Sequence, residues 1–62
     1  MFKVNDYCVL RKAEDAQVYT IEFMDGFVVG LKWRAGRDIM RTETDVCRIM
    51  KPSEEQMKRF LG

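Results

Sequence analysis

Sixty-two residues, 47% hydrophobic and 34% charged, with eleven Lys and Arg against ten Asp and Glu, describe one small folded domain over 1–62 rather than a disordered or multidomain chain. A net charge of +1 excludes a purely electrostatic nucleic-acid binder and a polybasic membrane tail. His is absent and the two Cys lie far apart in sequence, which removes a zinc site built by one chain and leaves no Cys-His or Ser-His pair for nucleophilic catalysis.

No Gly-rich phosphate loop is present, so no cofactor is expected, and the chain reads as non-enzymatic. Its apolar runs are far shorter than the ~20 residues that span a bilayer, and the N-terminus has no apolar signal region. A cytoplasmic protein with no membrane or metal partner is expected. A chain this short sits near the lower limit of independent stability, so a partner, a second copy or a very economical fold is expected too.

In chain order, Tyr7-Cys8-Val9-Leu10 reads as a first strand between Asn5-Asp6 and the polar cluster from Lys12 to Asp15. Val18 to Phe23 and Phe27 to Trp33 follow as a hairpin. A three-residue Met24-Asp25-Gly26 loop would pair Phe23 with Phe27, Ile21 with Val29 and Tyr19 with Leu31 on one apolar face, leaving Val18, Thr20, Glu22, Val28, Gly30 and Lys32 on the other. The next hairpin repeats the pattern: an Arg34-Ala35-Gly36 loop would set Trp33 opposite Arg37, Lys32 opposite Asp38 as an exposed ion pair, and Leu31 opposite Ile39. Gly30, in mid-strand, reads as a bend in the sheet.

A polar stretch from Thr42 to Asp45 then leads to a fifth strand, Val46 to Met50, expected to return beside the first and close the sheet. The tail has a helix signature over 53–61. Ser53 is the N-cap, Gln56 completes a capping box, acids occupy the first turn and Lys58-Arg59 the last. Met57, Phe60 and Leu61 form an apolar stripe that needs a surface to lie on.

Five short antiparallel strands, the opening Phe2-x-x-x-Asp6-Tyr7-x-Val9-Leu10, two tight hairpins and the crossing into Asp45-Val46-Cys47-Arg48-Ile49 resemble the SH3-like small barrels, Tudor and KOW modules among them, over residues 2–50. The resemblance implies a five-stranded antiparallel barrel with a short C-terminal helix. It also implies a binding role, since those modules take nucleic acid, peptides or methylated side chains at one barrel rim.

Two surfaces are candidates for binding. Lys32, Trp33, Arg34, Arg37 and Arg41 interleave cations with one aromatic, the ingredients of nucleic-acid recognition, although Arg37 could instead stack on Trp33 or the segment could be a solvated tip. Val18, Val28 and Met40, pointing outward in these registers, together with the helix stripe of Met57, Phe60 and Leu61, suit a protein interface or a homodimer. Charge favours the second surface: residues 1–31 hold three Lys and Arg against five acids, and 32–62 hold eight against five, a dipolar rather than basic molecule. Cys8 and Cys47, on neighbouring first and last strands, could reach each other as a disulfide, but in a reducing cytoplasm two buried thiols that pack as small hydrophobes are expected.

Overall fold

Each of the two tight reversals is built on a glycine. Gly26 and Gly36 take φ of 60° and 65°, the left-handed region that costs a side chain dearly and glycine little. In the computed structural model, which describes residues 1–62, they join β2 (Tyr19–Asp25), β3 (Val28–Ala35) and β4 (Asp38–Asp45), with β1 (Tyr7–Cys8) beside β2. The result is a four-stranded antiparallel open sheet in the order β1-β2-β3-β4, followed by a 3-10 turn (Val46–Arg48) and the helix α1 (Glu54–Leu61). The chain is mostly β with one short helix, but it has four strands rather than five and the barrel is not closed.

The fifth strand is lost to a side chain. Asp45 accepts a hydrogen bond from the Cys47 N–H at 3.2 Å and caps a 3-10 turn over Val46–Arg48, the local competition by which Asp draws backbone away from a ladder. The chain is extended again from Ile49, and of the expected strand Met50 alone pairs. It meets Val9 in a single antiparallel bridge, Val9 N–H to the Met50 carbonyl at 2.9 Å and Met50 N–H to the Val9 carbonyl at 2.8 Å.

Both hairpins turn in two residues, not three. Asp25 faces Val28 across Gly26-Phe27, and Ala35 faces Asp38 across Gly36-Arg37. Each glycine therefore stands first in its loop, the φ pattern of a type II′ turn, whose twist matches the flanking strands. The expected pairings shift accordingly. Arg41, not Asp38, lies opposite Lys32, and Met40, not Arg37, lies opposite Trp33. Leu31 faces Thr42, and Ile39, expected in the core, faces Arg34 and is exposed.

In the first hairpin the register changes between Ile21 and Phe23. Glu22 is an extra residue, so Glu22 and Phe23 together oppose Gly30 as a β-bulge. The bulge restores the pairing that apolarity demands further along, where Ile21 meets Leu31. It also moves Phe23 out of the core and over the bare backbone of Gly30, where a Cβ would run into the Phe23 ring. An aromatic ring covering a cross-strand glycine protects a backbone that has no side chain of its own.

Cys8, Ile21, Val29, Leu31 and Ile49 form the core, with Phe2, Leu10, Tyr19, Met24 and Val46 packed on it. Of the residues expected in it, Ile21, Val29 and Leu31 are buried there, Tyr19 is partly buried against it, and Phe27 is 79% exposed at the turn. Cys8 is a buried thiol, as read from the sequence, but Cys47 is exposed in the 3-10 turn.

The helix lies on the opposite face of the sheet. Its capping box is complete: Ser53 N–H donates to Gln56 Oε1 at 2.8 Å, and Ser53 Oγ accepts from Gln56 N–H at 3.1 Å. The expected Met57-Phe60-Leu61 stripe docks only in part. Phe60 meets Tyr7 edge-on with ring centroids 5.2 Å apart, Met57 is half-buried, and Leu61 is 73% exposed.

The residue that locks the helix down is polar. Gln56, 3% exposed, donates through Nε2 to the carbonyls of Arg11 at 3.0 Å and Ala13 at 2.8 Å, so its buried amide is satisfied on both sides. Val18, read as outward and exposed, does point to this face but is 3% exposed. The tail covers it, with Gln56 and Phe60 beside it in a shallow recess.

Candidate binding face on the third and fourth strands

Register sorts the side chains of β3 and β4. The alternation that puts Leu31 and Val29 in the core turns Lys32 and Arg34 to the outer face, and their partners Arg41 and Ile39 with them. The helix covers only the β1–β2 half of that face, where Phe60 reaches Tyr7. The β3–β4 half stays bare, and there Val18, Ile39 and Phe60 line a cleft of about 290 Å³ together with Lys32, Arg34 and Arg41.

The cleft is electrostatically lopsided. Lys32 and Arg41 are directly opposite each other, a like-charge pairing that disfavours the register unless an anion intervenes. The bulge supplies one carboxylate: Glu22 Oε2 accepts from Arg41 Nε at 3.1 Å. No other ion pair forms in the chain, so Lys32 and Arg34 present free cations beside an apolar patch. That combination fits a ligand carrying both carboxylates and apolar side chains.

Of the five residues of the basic segment, Lys32, Trp33, Arg34 and Arg41 line this cleft together. Lys32, Arg34 and Arg41 share the outer face, whereas Arg37 stands at the second turn. Trp33 packs edge-to-face on Tyr19, centroids 5.0 Å apart at 89°, which is the core-side pairing given by the register. The interface candidates divide as well. Val28 and Met40 are exposed, Phe60 is exposed at its rim, Leu61 is free, and Val18 is covered.

β4 has a property no single residue signals. Seven of its eight positions are exposed and Thr44 is intermediate, so neither face of the strand is covered, and it ends the sheet. Ile39 stands exposed on the outer face and Met40 on the core-side face.

The largest depression, about 640 Å³, lies elsewhere, between the N-terminal turn and the start of the helix, and includes Phe2, Tyr7, Ile49, Pro52 and Met57. Its one carboxylate, Asp6, already accepts from the Lys3 N–H at 3.0 Å. Lys51 lines it as well.

Neither thiol is poised for chemistry. Burial pushes Cys8 up to about 11, and a hydrogen bond to Asp45, with the charge of that carboxylate, raises Cys47. A thiol so raised is a poor nucleophile at neutral pH. No group of three or more Cys, Asp or Glu is arranged to hold a metal ion, and no helix is long and apolar enough to cross a membrane.

Sequence reasoning missed the Gln56 anchor and the open edge. A Gln at the third helical position signals a cap, and nothing in the sequence distinguishes a cap that is also a tether. In comparisons with protein families, curated proteins and solved structures, nothing matches this chain.

Proposed function

We propose that the chain is a small, non-enzymatic binding module of the cytoplasm that works by protein–protein contact, self-association included, on the β3–β4 half of its sheet. The observation that carries the reading is β4: an eight-residue strand at the sheet edge, bare on both faces. An extended partner segment can add to such an edge through main-chain hydrogen bonds while its side chains enter the adjacent cleft. The free cations Lys32 and Arg34, beside Ile39 and Phe60, favour a partner that is acidic and partly apolar. Kinship with the SH3-like modules belongs to the same proposal and is supported by the Val9–Met50 bridge, which brings the chain back beside its first strand.

An amide-resolved titration with an extended acidic peptide bearing one large apolar side chain tests this. Shifts confined to Lys32, Arg34 and residues 38–45, weakening with salt, are expected. Shifts at the groove beside Phe2 and Met57 instead would overturn it.

Nucleic acid is the second reading, favoured by the three cations on one face. Its test is a Trp33 fluorescence titration with single-stranded and duplex oligonucleotides at low and moderate salt. Salt-sensitive quenching, lost when Lys32 and Arg34 are replaced by Ala, would transfer the function to nucleic acid.

A further inference from the structure

The ladder between β3 and β4 fixes which main-chain groups of β4 are free. Val46 N–H donates to the Phe27 carbonyl at 2.7 Å, in line with the pairing of Val28 to Asp45. In an antiparallel ladder, hydrogen-bonded positions alternate with positions whose N–H and C=O point the other way. Residues 38, 40, 42 and 44 therefore face β3, and Ile39, Arg41 and Glu43 turn their main-chain groups to the open edge. No backbone hydrogen bond from another segment reaches those three. β4 contains no Pro and no bulge, two of the devices that stop edges from pairing; a third, charge, is present in Asp38, Arg41, Glu43 and Asp45, so that only a register matching opposite charges can form.

Such an edge can pair with itself only in registers that bring outward-facing residues opposite one another. A two-fold axis at Arg41 would set Arg41 against its own copy. An axis at Glu43 would do the same to Glu43. An axis at Met40 would run the ends of the strands past each other into the turns. An axis at Thr42 overlaps nearly the whole strand, and it alone sets opposite charges face to face while doing so.

We propose that β4 pairs with β4 of a second copy of this chain, antiparallel about a two-fold axis at Thr42, so that Arg41 of each copy faces the partner's Glu43. This rests on the binding-module reading and names its partner. Arg41 bonds Glu22 through Nε, which leaves its terminal nitrogens for the second carboxylate, and Glu43 has no ion-pair partner within its own chain. Thr42 meets the partner's Thr42 and Met40 the partner's Thr44, both pairings suited to a sheet surface. Two four-stranded sheets become one of eight, and the edge disappears.

Sedimentation equilibrium and amide hydrogen exchange over a concentration series test the proposal. The expected result is a monomer–dimer equilibrium in which Ile39, Arg41 and Glu43 amides gain protection as concentration rises. E43R alone sets two Arg against two Arg and should weaken association roughly tenfold; R41E alone should do the same by opposing two carboxylates.

Mixing the two variants restores complementary charge on both sides of the axis, so the mixture should associate where neither variant does. A dimer indifferent to both substitutions, or one that protects other amides, overturns the pairing. A monomer at every concentration whose edge amides exchange freely also overturns it, but leaves the edge open for a different partner. Protection of those amides at every concentration in a monomer would mean that no free edge exists, and the binding-module reading would fall with the pairing.

Discussion

The two halves of the sheet are finished differently. Under the helix, around β1 and the start of β2, Val9 and Val18 are buried and Gln56 closes its hydrogen bonds to Arg11 and Ala13. Across β3 to β4 the core thins toward an edge where Ile39, Met40, Arg41 and Glu43 are all exposed. β3 still holds the core through Val29 and Leu31, whereas β4 adds little to it and keeps its groups free. The difference teaches that in a chain this small one short helix can cover only part of a sheet face and leaves the rest open.

The sharpest way to break the comparison is a matched pair of truncations. Leu31→Ala, in the core, should cost about 2–5 kcal/mol, and Met40→Ala, exposed on β4, less than about 1 kcal/mol. Denaturant midpoints at equal slope check both.

Alkaline pH should act most strongly through Cys8. Burial raises Cys8 from 9.0 to about 11, so both states keep the proton below pH 9 and stability is undiminished there. Above that the unfolded chain loses its proton first. Roughly 3 kcal/mol should therefore drain away between pH 9 and 11. The Cys8→Ala variant should show a shallower slope over that window, and an equal slope would refute the assignment.

Gln56→Leu should cost about 1–3 kcal/mol, because it strands the Arg11 and Ala13 carbonyls and undoes half of the capping box. Far-ultraviolet circular dichroism should report the helix lost ahead of the sheet. Gly30→Ala should displace the Phe23 ring at about 1 kcal/mol, and the penalty should vanish in a Phe23→Ala background. The smallest effect belongs to the bare half. Glu22→Gln removes an ion pair whose Arg41 side chain is 62% exposed, and should change stability by no more than about 0.5 kcal/mol at moderate salt.

Much of this architecture is legible in the residues. The strand content, the reversals at Gly26 and Gly36, the capping box and the burial of Ile21, Val29 and Leu31 follow from periodicity and turn chemistry. The registers do not. Choosing the loop that makes the cleanest apolar face assumes a regular ladder, and the bulge at Glu22 lets a two-residue turn and a buried Ile21–Leu31 pair coexist. The second hairpin inherited that assumption, so its agreement with the first was not independent.

The site was legible as a set of cations but not as a face. A register moved by an odd number of residues carries Ile39 from core to surface and puts Arg41 beside Lys32. The openness of β4 was hidden for another reason: Asp45, read as part of a polar crossing, bends the segment that would otherwise have formed a closing strand.

Gln56 also sets how the tail responds to disturbance. Because one side chain both starts the helix and fastens it to the loop at Arg11 and Ala13, the helix cannot form fully without docking, nor dock without forming. Coil-to-helix and free-to-bound become a single step, so the tail behaves as a latch with two positions. Its amides should exchange with solvent together with the strands beneath them, while the turn at Gly36, which no such latch holds, opens by itself.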